Sequence, residues 1–322
     1  MLHWHGLDFV PASLTGSIVT IGNFDGVHLG HQKILRTVVD EARARSCESV
    51  VLTFSPHPLT VHRPASAPAP ITSDARRAEL IAEAGVDALL TIEYTLAFAD
   101  QGAEEFVRDY LVEGLRARVV VVGQDVRFGR GNEGNLETMR ELGAKYGFDV
   151  IAVDDAGPDR RWSSTWVREA LHRGDVEEAA DILGRHHAMR GRVVHGFARG
   201  RELGFPTANL DRDATGLMPA DGVYAGWLVD EAGTRWPSAI SIGTNPTFEG
   251  VVRTVEAHVI DRPQEAVESF DLYGQVVFVE FVSRLRGIVA YTGIEALITQ
   301  MHRDVDEARV VLARDAAATA AS

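Results

Sequence analysis

The stretch SIVTIGNFDGVHLGH, residues 17–31, decides the fold of the first half of this 322-residue chain. It begins with a short apolar run, which is typical of a strand buried on both faces of a sheet. Glycines then let the backbone approach a ligand closely, and residues 32–45 have the pattern of an amphipathic helix. Because a strand that turns tightly into a helix presents free N–H groups and the positive end of the helix dipole, the stretch predicts an anion-binding turn.

Around this turn, short apolar runs alternate with amphipathic stretches up to about residue 183. The predicted strands are 17–21, 49–54, 88–92, 118–122 and 148–153. The predicted helices are 32–45, 74–84, 103–115, 136–146, 164–173 and 175–183. Such alternation is typical of a parallel sheet with helices on both faces, and a Pro- and Ala-rich loop at 56–70 interrupts it.

The second half has a different pattern, which places a domain boundary between residues 185 and 186. Segments 189–195, 222–230, 235–242, 253–260 and 275–283 alternate polar and apolar residues and are separated by Gly, Pro and Asn. This pattern predicts antiparallel strands in a small barrel or sandwich. An amphipathic helix is predicted at 294–312, followed by an Ala-rich tail that we expect to be frayed.

Composition excludes several classes of protein. The net charge of −14 counts against nucleic acid or an anionic membrane as the main partner. Cys47 is the only cysteine, which excludes an internal disulfide and a cysteine-based zinc site. The chain has no signal-peptide pattern and no apolar run of about 18 residues, so we expect a cytoplasmic protein. Self-association is left open.

The first candidate site combines two motifs. His28 and His31 lie three residues apart at the start of the predicted helix, so both can face one phosphate, and histidine can donate a hydrogen bond or carry charge there. The alternative is an ordinary capped turn. In WSSTWVR, residues 162–168, the hydroxyls of Ser164 and Thr165 precede Arg168 by one helical turn. Alone, this motif is typical of a simple helix cap.

Two other nucleotide-binding patterns are weaker. GRGNEG, residues 129–134, spells GxGxxG, but it starts seven residues beyond the predicted strand, whereas a dinucleotide fingerprint starts at the strand end. A phosphate-binding P-loop requires Gly before Lys, and no glycine precedes Lys33 or Lys145. Neither an NAD site nor a P-loop is therefore expected.

The densest motif of the second half is HGFARGRELGFPTANL, residues 195–210. Its three glycines suit either a phosphate-handling loop or a hairpin connection. Thr207 and Asn209 share one face of a predicted short strand, and their oxygens suit Mg²⁺. Glu256 lies in RTVEAHVI, on the face opposite the apolar residues, where the alternative is a solvated strand face.

The order and identity of these motifs resemble a known family. GNFDGVHLGH and SSTWVR resemble the HxGH and SSTxxR-type signatures of nucleotidyltransferases. FSPHP and GQDVRFG narrow the resemblance to the flavin adenylyltransferase module of bacterial riboflavin kinase/FAD synthetases, although Val126 and Trp162 depart from its usual residues. GRELGFPTAN, PADGVYAG, IGTNPTF, TVEAHV, DLYG and FVSRLR occur in the order of a riboflavin kinase domain. The resemblance covers about residues 15–312.

The resemblance implies a fold, two reactions and a set of site residues. It implies a Rossmann-like parallel sheet of the nucleotidyltransferase type, then a six-stranded antiparallel β-barrel with a terminal α-helix. Riboflavin would be phosphorylated by ATP in the barrel, and the FMN formed would be adenylylated by ATP in the first half, with Mg²⁺ serving both reactions. The implied catalytic residues are His28, His31, Arg168 and Glu256, the last as general base. The implied ATP-binding residues are Gly22, Asn23, Phe24, Asp25, Gly30, Asp125, Ser164, Thr165, Gly200, Gly204 and Pro206. His57, Phe128 and Arg286 would contact flavin, and Thr207 and Asn209 would hold the metal.

Two alternative functions remain. The chain could be a nucleotidyltransferase that makes another product, although such an enzyme has no use for the barrel motifs. It could instead be a flavin-binding protein with inactive sites, although the histidine pair, Thr207, Asn209 and Glu256 are all intact.

Overall fold

The computed structural model describes residues 1–154, 157, 160–195, 205–247, 250–261, 272–289 and 291–320. The chain divides into two compact units, Met1–Ser164 and Thr165–Ser322. None of the helices within the described ranges is long and apolar enough to span a membrane.

The first unit is built on a six-stranded sheet. Its strands are β1 (Leu2–His5), β2 (Ser17–Ile21), β3 (Glu48–Ser55), β4 (Ala88–Glu93), β5 (Ala117–Gly123) and β6 (Asp149–Val153). The strand order is β1-β4-β3-β2-β5-β6, and the pairings are parallel. The five predicted strands are confirmed. Strand β1 was not predicted, because four mostly exposed residues carry little pattern and its pairing with β4 depends on a segment more than 80 residues away.

Helices cover both faces of this sheet. They are α1 (Leu29–Arg45), α2 (Pro58–His62), α3 (Asp74–Glu83), α4 (Leu96–Ala99), α5 (Ala103–Phe106) and α6 (Leu136–Tyr146). The helix predicted at 103–115 is α5 followed by a wider π-type winding over Val107–Gly114. Helix α1 begins three residues earlier than predicted, so that His31 lies in its first turn.

The strand order creates a crevice beside the turn between β2 and α1, residues 22–28, which we call the nucleotide turn after its predicted role. From β2 the chain moves to β3 and β4 on one side, and it later places β5 and β6 on the other side. The direction therefore reverses between β2 and β5, and ligands of open parallel sheets bind at the carboxyl ends of strands at such a switch point. The turn after β2 lies at this position.

The second unit is a closed barrel with flanking helices. Helices α7 (Ser164–Arg173) and α8 (Val176–Leu183) precede it, α7 starting at the last residue of the first unit. The barrel strands are β7 (His187–Val194), β8 (Ala208–Leu210), β9 (Gly222–Val229), β10 (Arg235–Thr247), β11 (Gly250–Val259) and β12 (Val276–Arg286). Their order is β10-β11-β8-β7-β12-β9, with antiparallel pairings. This confirms the six-stranded barrel.

The terminal helix α9 (Ile294–Ala320) is longer than predicted. We expected it to end at residue 312 and to be followed by a frayed tail, and this expectation is wrong. The Asp315 carboxylate accepts a hydrogen bond from Trp227 Nε1 at 2.8 Å and lies 2.8 Å from His186 Nε2. These contacts anchor the last turns of α9 to the barrel, and local sequence pattern could not reveal them.

Candidate functional site

The turn between β2 and α1 has unusual backbone geometry. Phe24, Gly26 and Val27 have φ angles of 51°, 80° and 40°. Positive φ is uncommon for a bulky residue and is an outlier for a β-branched one, so this turn is strained. Such strain persists only where the surrounding structure holds it, and it is concentrated at functional sites.

The two histidines of the turn are stacked. His28 is the N-cap of α1, and its Nδ1 accepts a hydrogen bond from the His31 amide at 3.3 Å. A neutral His28 ring therefore carries its proton on Nε2, an atom that can donate to a phosphate oxygen. The two ring centroids lie 3.6 Å apart with 20° between the planes.

Three neighbouring residues that we predicted to bind ATP differ in whether their side chains are engaged within the protein. Oδ1 of Asn23 is buried and accepts no hydrogen bond within the part of the chain that the structure describes, so it suits a ligand donor. The Asp25 carboxylate is 3% exposed and accepts hydrogen bonds from the amides of Ile71 and Thr72 at 3.0 and 3.1 Å. Phe24 is 1% exposed and packs in the core, with its ring 5.0 Å from that of His31. A direct contact of Asp25 or Phe24 with ATP remains a prediction.

The remaining ATP-binding candidates of the first unit lie at the same turn or follow strand β5. The Ser164 hydroxyl donates to the Asp25 carbonyl at 2.8 Å, which places it at the nucleotide turn. Asp125 follows β5 and forms an ion pair with Arg161.

The two predicted glycines lie near the two ends of the nucleotide turn. Gly22 lies directly after β2 and its amide donates to the Leu52 carbonyl, whereas Gly30 is buried in the first turn of α1. Thr165 and Arg168 follow Ser164 on α7 and are counted with the second unit.

The two predicted flavin contacts of the first unit lie in different surroundings. His57 caps α2, with its Nδ1 accepting from the Leu59 amide at 3.1 Å. Phe128 is 7% exposed and its ring lies 6.1 Å from that of Phe106.

Sequence reasoning missed an aromatic patch, which we define as Phe54, Tyr94 and Phe98. Their three ring centroids lie 5.4 to 5.6 Å from one another, and all three side chains are partly exposed. Phe54 lies at the carboxyl end of β3 and Tyr94 directly follows β4, so the patch belongs to the edge that bears the nucleotide turn. His62 Nε2 lies 2.9 Å from the Tyr94 hydroxyl, and burial raises the pKa of that hydroxyl. The sequence feature that could have indicated this patch is the presence of aromatic residues at the carboxyl ends of two neighbouring strands.

The GxGxxG pattern of residues 129–134 has a packing role in the structure. Gly129 has a φ of 73°, and a Cβ there would lie 2.6 Å from Ala103 Cα. Phe128 pairs with Gly134 in a short antiparallel bridge. This arrangement supports the expectation that the pattern is not a dinucleotide fingerprint.

In the barrel, strand register joins three predicted residues. Glu256 of β11 lies opposite Asn209 of β8, and Thr207 directly precedes β8. The Thr207 hydroxyl donates to Glu256 Oε2 at 3.4 Å, and Asn209 Nδ2 donates to Thr207 Oγ1 at 3.2 Å. All three side chains are partly exposed, while Val255 and Ala257 face the core. The predicted alternation of faces is therefore confirmed, and a carboxylate stands beside a hydroxyl and an amide.

Residues that sequence reasoning did not select support this cluster. The Pro206 carbonyl accepts a hydrogen bond from His258 Nδ1 at 2.9 Å. The Phe205 ring makes edge contacts with His258 and with His302 of α9, at 5.2 and 5.0 Å. His258 follows Glu256 by two residues on the same strand face, and this spacing could have indicated it. Gly200 and Gly204 lie outside the described residues.

Arg286, which we predicted to contact flavin, is held by a buried carboxylate. Its Nε and Nη2 donate to the two oxygens of Asp304 at 2.9 and 2.7 Å. This bidentate bond is the main cause that raises the pKa of Arg286. Tyr291 lies over the guanidinium, 5.8 Å from its carbon to the ring centroid. A flavin contact by Arg286 remains a prediction.

Among the described residues, no cluster of three or more His, Cys, Asp or Glu side chains could hold a metal ion. The Thr207, Asn209 and Glu256 cluster contains a hydroxyl, an amide and one carboxylate. This donor set fits Mg²⁺, which keeps several waters and binds through few protein oxygens together with substrate phosphates.

Comparison with known proteins agrees with this division of sites. Residues 10–165 match the FAD synthetase family model and residues 183–312 match the riboflavin kinase model. A bifunctional riboflavin kinase/FMN adenylyltransferase from Escherichia coli (strain K12) is 36% identical over 308 residues, covering 95% of each chain. The protein of that name from Pseudomonas fluorescens is 37% identical over 313 residues, covering 97% of this chain and 98% of the relative.

The chain belongs to the bifunctional riboflavin kinase/FMN adenylyltransferase family. The family's two models fall on the parallel-sheet unit and on the barrel. The fold also matches the crystal structure of a Streptococcus pneumoniae protein described as a macrolide-efflux protein. That match has a TM-score of 0.85 at 30% identity and covers 96% of this chain and 99% of the other.

Proposed function

We propose that this chain carries out both reactions of its family, each with the residues of one candidate site. Riboflavin is phosphorylated to FMN at the barrel, and FMN is adenylylated to FAD at the nucleotide turn. The observation that carries the proposal is the register of β8 and β11, which brings Thr207 and Asn209 beside Glu256. The efflux role in the name of the S. pneumoniae protein is not proposed, because the two flavin family models account for residues 10–165 and 183–312.

In the kinase reaction, Glu256 acts as general base on the ribityl 5′-hydroxyl. As the proton moves to the carboxylate, the hydroxyl oxygen attacks the γ-phosphorus of ATP and ADP leaves. Thr207 and Asn209 bind the nucleotide beside this carboxylate, so that the protein supplies positioning and no covalent intermediate is needed. His258 holds the Pro206 carbonyl and thereby the start of this segment.

We propose Thr207 and Asn209 as the residues that hold Mg²⁺ together with the ATP phosphates. An ion bound there would neutralise phosphate charge in the kinase reaction, and Mg²⁺ that arrives with ATP would do the same in the adenylyl transfer. The hydroxyl and amide are partly exposed and adjacent, as this role requires.

In the adenylyl transfer, a phosphate oxygen of FMN attacks the α-phosphorus of ATP and pyrophosphate leaves. His28 and His31 stabilise the charge that moves onto the pyrophosphate, since they lie at the positive end of α1. Asn23, whose buried Oδ1 accepts no hydrogen bond from the described residues, orients the nucleotide. Roles for Ser164, Thr165 and Arg168 in holding the phosphates follow from the family motif.

The aromatic patch suits the flavin ring of FMN. Phe54, Tyr94 and Phe98 offer partly exposed aromatic surface at the edge that bears the nucleotide turn. A planar, largely apolar ring system packs favourably against such side chains. His57 follows Phe54 by three residues and would border this pocket.

The assignment of each reaction to one site can be tested by separating the products after incubation of the protein with riboflavin and Mg-ATP. Replacing both His28 and His31 by alanine is expected to stop FAD formation while FMN accumulates. Glu256→Gln is expected to stop FMN formation while supplied FMN is still adenylylated. Exposed His172→Ala and Glu177→Gln are matched controls that should keep both activities. Loss of both activities in either folded site variant would contradict the assignment.

Four further expectations belong to this proposal. We retain the domain boundary between residues 185 and 186. The net charge of −14 supports the absence of a nucleic-acid partner. Dependence of both reactions on ATP supports action in the cytoplasm. Self-association is a prediction that sedimentation velocity would test.

A further inference from the structure

Arg77, the fourth residue of α3, is a charged residue with only 6% of its surface exposed. Its Nη1 donates to the Asn23 carbonyl at 3.1 Å, and its Nη2 donates to the Phe54 carbonyl at 3.2 Å. Nη2 also lies 3.1 Å from Asp74 Oδ1 in an ion pair. Burial of a charge is costly unless hydrogen bonds and a counter-ion offset it, so these contacts are required for Arg77 to occupy this position.

The two carbonyls lie beside the two segments that the adenylyl transfer must align, the nucleotide turn and the loop after β3 that contains His57, which we call the flavin loop. Asn23 is the second residue after β2 and belongs to the nucleotide turn. Phe54 is the penultimate residue of β3, a member of the aromatic patch, and it leads directly into the loop with His57. Because β2 and β3 are neighbours in the sheet, one guanidinium joins the nucleotide turn to the end of β3, from which the flavin loop continues.

The segment that leads into α3 holds the nucleotide turn at further points. The Asp25 carboxylate accepts from the amides of Ile71 and Thr72, and the Thr72 hydroxyl accepts from the Gly26 amide at 3.2 Å. The turn that they hold contains the strained residues described above, with a left-handed Val27 among them. Arg77 therefore completes a set of contacts that fixes a strained turn relative to the next strand.

We propose that Arg77 is a positioning residue for adenylyl transfer, which sets the spacing between the nucleotide turn and the flavin loop. The inference rests on the proposed function of these loops. Without the guanidinium, each substrate still meets its own loop, but the FMN phosphate and the α-phosphorus of ATP are no longer aligned. Misplacement of reacting groups by about 1 Å can cost about 100-fold in rate. The loss should therefore appear in kcat and not in the KM for either substrate.

The test measures FAD formation from FMN with ATP and FMN varied independently. Arg77→Gln is expected to lower kcat by about 10-fold or more while both KM values stay within about threefold of wild type. Arg77→Lys keeps the charge and can reach one carbonyl, so its kcat should lie between the two. Arg76→Gln is the matched control, since the neighbouring Arg76 pairs with Glu79 and Glu83 on α3.

Two further measurements on the full chain distinguish a positioning role of Arg77 from a merely structural role. Hydrogen exchange of β2 and β3 reports whether the first unit is folded. The rate of FMN formation by the barrel serves as an internal measure of the concentration of active enzyme, to which the rate of FAD formation is normalised. If Arg77→Gln is unfolded, the folded Arg77→Lys decides: a kcat at least about threefold below wild type with unchanged KM supports the proposal.

Three results would overturn it. These are a kcat within about threefold of wild type in folded Arg77→Gln, or in Arg77→Lys where only that variant folds, a raised KM with unchanged kcat, or a loss of activity that matches the loss of protection in β2. Failure of the wild-type chain to make FAD would instead refute the proposed function, which separates the two conclusions.

Discussion

Replacing His187 by glutamine is expected to make the barrel less sensitive to acid. His187 is 2% exposed at the start of β7, and its Nε2 donates to the Leu217 carbonyl at 2.7 Å. Its ring is parallel to that of Phe281, with 6.1 Å between centroids. Burial lowers the pKa of this histidine from 6.5 to about 4, so it is neutral in the folded protein at physiological pH.

The size of the effect follows from proton linkage. The unfolded state takes up a proton near pH 6.5 and the folded state near pH 4, so the unfolded state binds more protons between these values. The stability that neutral His187 contributes is complete above pH 6.5 and is lost as the pH falls towards 4. At about pH 5 the loss amounts to about 2 kcal/mol, since each pKa unit corresponds to about 1.4 kcal/mol.

Native-state hydrogen exchange of peptides from β7 and β12 measures the opening free energy of the barrel separately from the first unit. Between about pH 7.5 and about pH 5, the wild type should lose about 2 kcal/mol more than His187→Gln, whose amide can still donate to Leu217 but does not titrate. The exposed His172→Gln should behave as the wild type. Equal losses in the wild type and His187→Gln, within about 0.5 kcal/mol, would refute the reasoning.

Two other variants test the strained turn and the anchor of α9. Gly26→Ala places a Cβ 3.1 Å from Ile71 Cγ2 at a φ of 80°, so adenylyl transfer should fall at least about 10-fold while riboflavin phosphorylation is unchanged. Product analysis that showed normal FAD formation would mean that the turn tolerates the strain. Asp315→Ala removes the acceptor of Trp227 Nε1, so it should destabilise the barrel by about 2 kcal/mol. It should also raise hydrogen exchange in residues 313–320. Asp306→Ala, at an exposed position of the same helix, should change neither stability nor exchange. Unchanged exchange in Asp315→Ala would show that the carboxylate does not anchor the helix.

The sequence was most informative where a local pattern has a direct physical meaning. Alternation along residues 253–260 predicted that Glu256 shares a face with His258, and the structure confirms it because side chains of a strand alternate between its faces. The apolar runs of the first half predicted five of six strands, since strands of a parallel sheet are buried on both sides. The predicted start of α1 was three residues late, because the helix begins directly after its N-cap His28, within the motif, and not after His31.

Other features depend on segments that are far apart in the chain. No local pattern indicated that Arg77 would reach the carbonyls of Asn23 and Phe54, because those contacts depend on which strands are neighbours. The bond between Arg286 and Asp304 likewise requires α9 to lie against the barrel. The same reason explains why the aromatic patch was missed.

The sequence by itself determined the class of each half, the order of the motifs and the residue types that can bind phosphates and Mg²⁺. These properties depend on hydrophobic periodicity and on side-chain chemistry, which are local. Only the tertiary structure decided how the nucleotide turn that contains His28 and His31 is held, through Asp25 and Arg77. It also decided that Glu256 lies beside Thr207 and Asn209, because strand register in a closed barrel is set by the whole sheet and not by any one strand.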